Sequence, residues 1–261
     1  MAVLRLDHTP ESVKLNQPLY LILPDPGRMN GRPLRERRVL YLLHGLSDDA
    51  SAWQRFTAVE TYAAAYDLAV VMPSAGRSFY ADQPNGQAYF TYLTEELPRY
   101  LEQVFGLAPR REDCFIAGNS MGGYGALKAA LLHPGSFAAA ASFSGFLSLE
   151  FLRLYPDDPR QEEFRHLFGD LNLLSGSPHD PAVWLQQAAA RQADLPRLMV
   201  SCGRQDDLYL LTGIFMAQAK QAGVAVEYHE EDARHDWLFW DKELRRFLLE
   251  ILGQPARQPE S

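Results

Sequence analysis

The feature that most constrains this chain is Gly118-Asn119-Ser120-Met121-Gly122. It follows a short apolar run, Cys114-Phe115-Ile116-Ala117, and precedes a helix-like stretch from Tyr124 to Leu132. Strand, sharp turn, helix is the setting in which Gly-x-Ser-x-Gly lifts a serine onto a nucleophile elbow. So tight a turn strains the serine backbone and brings strand and helix close together. Side chains two residues to either side would collide there, hence the two glycines. The pentapeptide alone recurs by chance in many chains; its place between strand and helix carries the argument.

The surrounding pattern alternates strands and helices. Leu19–Leu23, Val39–Leu43 and Leu68–Met72 read as strands, the latter two as continuous apolar runs of the kind buried on both faces. Phe137–Phe143, Leu198–Gly203 and Val224–Tyr228 continue the series. Helices are expected over Trp53–Tyr66, Tyr92–Val104, Leu208–Ala222 and Leu238–Leu252. This rhythm predicts a mostly parallel sheet covered on both faces. The segment 146–193, rich in Pro and Asp, interrupts it and reads as a cap-like insertion with a helical fragment at Glu162–Phe168. One domain over 1–253 and a frayed tail over 254–261 complete the organisation, as 261 residues suffice for one large core and are short for two.

Bulk properties exclude several classes. A net charge of −8 without a Lys/Arg stripe argues against a nucleic-acid partner. The start of the chain lacks a long apolar segment, so neither signal peptide nor membrane span is expected, and a cytoplasmic location is the default. Cys114 and Cys202 each belong to an apolar run and read as buried free thiols. No Cys-x-x-Cys or His-Glu-x-x-His occurs, so no metal or cofactor is expected.

A serine hydroxyl is a poor nucleophile until a base removes its proton. In the α/β-hydrolase fold the partners follow in the order Ser, acid, His. His235 occupies the loop after the last strand, where the base belongs; His8, His44, His133, His166, His179 and His229 do not. Asp206 and Asp207 both follow the strand ending at Gly203. Asp207 directly precedes the next helix and suits a capping role, which favours Asp206 as the acid. The oxyanion hole needs two backbone N–H groups, for which Met121 and Leu46 are the candidates. Trp53, Tyr80 and Trp237 flank these loops and are candidate pocket aromatics.

These residues resemble a known family. His44-Gly45-Leu46-Ser47, Trp53, Val70-Val71-Met72-Pro73-Ser74 and Phe79-Tyr80-Ala81-Asp82 are similar to the esterase D-like group of α/β-hydrolases. That group includes S-formylglutathione hydrolase, tributyrin esterases and some feruloyl and acetyl-xylan esterases. Cys202-Gly203-Arg204-Gln205-Asp206-Asp207-Leu208-Tyr209 resembles the acid turn of the tributyrin-esterase branch, where the triad Asp matches Asp206. His235-Asp236-Trp237 is similar to its histidine turn. The resemblance runs from Val13 to Leu252 and implies a serine carboxylesterase acting on short acyl esters. S-formylglutathione hydrolysis is the alternative, and an acyltransferase or a non-catalytic binding protein stand behind it. It implies a small ester or thioester as partner, no membrane, and a homo-oligomer as one option. Asn119 departs from the family, in which His or Leu is commoner at that position.

Overall fold

The computed structural model describes residues 1–25, 33–83, 86–150, 152, 155–191 and 194–255. Its described residues form an eight-stranded sheet: β1 (Ala2–His8), β2 (Gln17–Leu23), β3 (Arg38–Leu43), β4 (Leu68–Pro73), β5 (Cys114–Asn119), β6 (Ala139–Phe143), β7 (Arg197–Gly203) and β8 (Glu227–Glu231). The order across it is β1-β2-β4-β3-β5-β6-β7-β8. From β4 to β8 every neighbouring pair is parallel, while β1 and β2 join antiparallel at one side. This is the α/β-hydrolase architecture.

Alternation along the strands divides the core in two. Val39, Tyr41 and Leu43 face one side, where the elbow helix Met121–Leu132 and the helices Leu97–Phe105, Pro181–Ala190 and Tyr209–Ala222 bury the sheet. Leu40 and Leu42 face the other, beneath Ala52–Phe56, Val59–Tyr66 and the final helix Trp237–Leu252. The chain lays β4 on one flank of β3 and then crosses to place β5 on the other. Such a reversal leaves a crevice at the carboxyl ends of the two strands, where open α/β sheets bind ligands. The loop after β3 and the turn after β5 meet there.

Several boundaries differ from the sequence expectation. The helix expected over Trp53–Tyr66 is broken between Phe56 and Val59. The last strand begins at Glu227 and not at Val224, because Val224 N–H is used to close the preceding helix on Ala219. β1 and the helix Pro181–Ala190 lie outside the expected elements. That helix places Trp184, Leu185 and Ala188 in the core, and Phe146, Leu147, Phe164 and Leu167 from the earlier part of the 146–193 segment are buried in the same cluster. Cys114 and Cys202 are buried and free. Among the described residues no helix is long and apolar enough to cross a membrane. Residues 256–261, in the expected tail, lie outside the described residues.

The sheet edge holds a buried carboxyl. Glu243, on the final helix and almost fully enclosed, lies 3.1 Å from Nδ1 of His229 on β8. Burial pushes its pKa up to about 7. A carboxyl held above its unfolded value makes the fold lose stability as pH rises from the free carboxylate range through the folded value. Glu243→Gln is therefore expected to raise Tm relative to the wild-type protein at pH 8, with the gain disappearing below about pH 4. A Tm difference that does not change with pH would contradict this.

Candidate active site

Ser120 sits between β5 and the elbow helix with φ 52° and ψ −116°, a region that costs a non-glycine residue about 1–3 kcal/mol. The surrounding backbone holds it there: Ser120 N–H donates to Phe143 C=O at 2.9 Å, and Ser120 C=O accepts from Tyr124 N–H and Phe146 N–H at 3.2 Å each. The elbow glycines are required by close approach. A Cβ on Gly122 would lie 2.2 Å from Leu43 O, and one on Gly118 would lie 2.5 Å from the Gly122 carbonyl. These obstacles are backbone and cannot rotate away. Gly122→Ala is expected to cost about 3 kcal/mol or more, read as a lowered denaturant midpoint; an unchanged midpoint would refute this geometry.

The acid and histidine loops are joined by backbone pairing that continues past the strands. Arg204 N–H donates to Glu231 C=O at 2.8 Å, and Gln205 N–H to Ala233 C=O at 3.0 Å. Gln205 also donates to Asp232 at 2.7 Å. This brings His235 Nδ1 to 2.9 Å from Asp206 Oδ2, while Asp206 Oδ1 accepts Leu208 N–H at 2.8 Å. The Asp206 carboxyl is fully enclosed, and the His235 side chain is 31% exposed. Burial raises the Asp206 pKa, but the hydrogen bond and charge of His235, with the Leu208 amide, outweigh it and hold the carboxyl below its ordinary value. Asp207 makes no side-chain cap: the helix it precedes begins at Tyr209 with Leu208 at the cap position and no capping side chain. Asp206 instead accepts the N–H of Leu208, the cap residue itself, two positions on. Asp236 caps the final helix, accepting Phe239 N–H at 3.0 Å, and so sets where His235 leaves the loop.

Ser120 and His235 line one cavity of about 790 Å³, with Leu46, Phe79, Asn119, Phe146, Trp237 and Trp240 among its walls. Such a volume suits a small organic ligand. Trp237 is thus placed at the cavity. Trp53 and Tyr80 are not: both are buried, and each donates to a backbone carbonyl at the end of β3, Trp53 Nε1–H to Leu43 at 2.9 Å and Tyr80 O–H to His44 at 3.2 Å. They brace the strand exit because each ring carries one donor that needs an acceptor once buried. Sequence reasoning missed Phe79, Phe146 and Trp240. Trp240 had a signal, lying three residues after Trp237 on one helix face.

The two proposed oxyanion donors are held by the loop after β4. Met121 is the first residue of the elbow helix, so its N–H has no intrahelical acceptor. Phe79 N–H contacts Met121 Sδ at 3.3 Å. His44 is buried with Nδ1 2.7 Å from Gly45 O and Nε2 accepting Ala75 N–H at 2.9 Å, and burial lowers its pKa. The neutral ring therefore ties the Leu46 loop to the Ala75 loop. Arg77 donates to Leu46 O at 3.3 Å and, through Nε and Nη2, to both oxygens of Glu163 on the helix Gln161–Phe168 at 2.6 and 2.7 Å.

Comparison with known proteins places this chain among esterases. The family model described as "Putative esterase" matches residues 12–251. An acetyl esterase of Caldicellulosiruptor saccharolyticus is 30% identical over 93% of this chain and 95% of its own length. Among solved structures, the fluorophosphonate-binding serine hydrolase F of Staphylococcus aureus superposes with a TM-score of 0.87 at 32% identity, covering 96% of this chain and 98% of its own. The S-formylglutathione hydrolase of the same organism superposes at 0.85, also at 32% identity and with the same coverage.

Proposed function

The chain belongs to the esterase family, and on that premise we propose that it is a serine carboxylesterase that hydrolyses short-chain acyl esters through an acyl-enzyme on Ser120. The observation that carries the reading is the 2.9 Å pair of His235 Nδ1 and Asp206 Oδ2, with His235 and Ser120 lining one cavity. Asp206 accepts Nδ1–H, which leaves Nε2 with the lone pair a general base needs. Ser120 Oγ attacks the ester carbonyl as its proton passes to His235, and the Leu46 and Met121 N–H groups stabilise the oxyanion. His235 then gives that proton to the departing alcohol. Water, deprotonated by His235, cleaves the acyl-enzyme, and His235 passes that proton to the departing Ser120 Oγ, which releases the acid and restores the free serine. The similarity to an acetyl esterase supports a short acyl group.

The test is a p-nitrophenyl ester series from acetate to decanoate run beside S-formylglutathione. A maximum at short chains is expected. Thioester turnover far above every ester would instead favour a formyl-thioesterase, the second reading, which rests on the similarity to the S. aureus S-formylglutathione hydrolase. Turnover of neither would reject both.

A further inference from the structure

The charge lining the cavity bears on which substrate the proposed serine chemistry would accept. Among the described lining residues the charged groups are Asp48, Asp158, Asp207, Asp236 and Arg160. Arg160 is committed: Nε and Nη2 donate to the two oxygens of Asp158 at 2.9 and 2.7 Å, so this pair presents little net charge. Asp48, Asp207 and Asp236 remain, and a helix N-terminus offsets only about half a charge at Asp236. The one histidine among these lining residues, His235, already faces Asp206. Carboxylates concentrated in a cleft with low-dielectric walls repel anions at a range that salt shortens.

A second observation comes from a lining residue beside Ser120. Asn119, next to Ser120, is completely buried, and neither its amide oxygen nor its amide nitrogen has a hydrogen-bond partner. A buried amide left unsatisfied costs free energy that a ligand's polar group can offset. An amide offers both N–H donors and a carbonyl acceptor, which a hydroxyl, able to donate and to accept, can serve and a carboxylate, which only accepts, cannot serve fully.

We propose that the cavity selects substrates by charge, taking esters and thioesters whose leaving group is neutral or cationic and rejecting anionic ones. This rests on the acyl-enzyme reading above and deepens it. It disfavours glutathione thioesters, which carry two carboxylates and one ammonium, and so separates the two readings left open there.

The experiment uses three acetyl thioesters that share the acyl group: acetylthiocholine, S-acetyl-N-acetylcysteamine and S-acetyl-3-mercaptopropionate. Each kcat/KM is divided by that compound's rate with uncharged hydroxylamine, which removes differences in thiol leaving ability without a charge bias of its own. At low ionic strength the anionic compound is expected to fall about tenfold or more below the neutral one, with the cationic compound at or above it, and the spread to shrink in high salt. Asp207→Asn and Asp48→Asn are each expected to reduce the anion-to-cation gap severalfold. Equal normalised rates, or a gap that neither salt nor these variants change, would overturn the proposal. If Ser120-dependent hydrolysis is present but the series is flat, this inference alone fails. If none of the three is turned over, or turnover survives Ser120→Ala, the acyl-enzyme reading fails and takes this inference with it.

Discussion

Ser120→Ala is expected to reduce ester turnover by about 10⁴- to 10⁶-fold while the protein stays folded. The methyl group has no lone pair to attack a carbonyl, so only binding and the oxyanion donors can contribute to the residual rate. The fold has little reason to respond, because the bonds that hold residue 120 are made by its own N–H and C=O, which alanine keeps. Alanine is also as strained as serine at φ 52°. Ser120→Gly is expected to be equally inactive and more stable by about 1 kcal/mol, since glycine occupies that region freely. Activity assays with thermal melts on both variants check this. Near-full activity in the alanine variant would remove Ser120 from the chemistry. A glycine variant no more stable than the serine protein would show that the turn is not strained.

The elbow can be read from the sequence because its constraint is local: a strand, a turn and a helix within a few residues dictate glycine at 118 and 122. The interior strands are legible because a short unbroken apolar run such as Val39–Leu43 leaves no polar face to turn toward water, and so fits a strand covered on both sides. What escapes depends on context. β1 reads Ala-Val-Leu-Arg-Leu-Asp-His, half-exposed throughout, and becomes a strand by pairing with β2 at the sheet's edge. The helix Pro181–Ala190 has a usable start signal, an Asp-Pro pair whose Asp180 accepts Ala182 N–H at 3.0 Å, but Pro and Asp serve equally as marks of a loop. Trp53 and Tyr80 show a different limit. An aromatic residue beside a catalytic loop can face the substrate or brace the loop from behind. The outcome turns on whether a backbone carbonyl lies within reach of its polar atom, which is set by residues distant in sequence. The sequence favours Asp206 over Asp207 partly through a capping role for Asp207 that the structure does not show. The preference has better support in the fact that one carboxylate meets both Leu208 N–H and His235.

That double contact makes Asp206→Asn the most informative change at the acid position, with an expected loss in kcat of about 10³- to 10⁴-fold. Leu208 N–H requires an acceptor at Oδ1, so the asparagine must keep its oxygen there and turn its NH₂ toward His235. Two donors would then face each other unless Nδ1 gives up its proton, and the proton would move to Nε2, the atom that has to receive the one from Ser120. The active site would keep its shape and lose its base. Asp207→Asn is the comparison, measured on an uncharged ester: a larger loss at 207 than at 206 would show the triad acid to be misassigned. Stability supplies a second readout with a fixed sign. A carboxyl held below its unfolded pKa stabilises the fold above the free carboxylate range, and the benefit disappears as pH falls through the folded value. The Tm difference between wild type and Asp206→Asn is therefore expected to be full at neutral pH and to narrow below about pH 4. A difference that stays constant into acid would mean that His235 does not lower the Asp206 pKa in the folded protein, and the pairing on which the proposed mechanism depends would have to be abandoned.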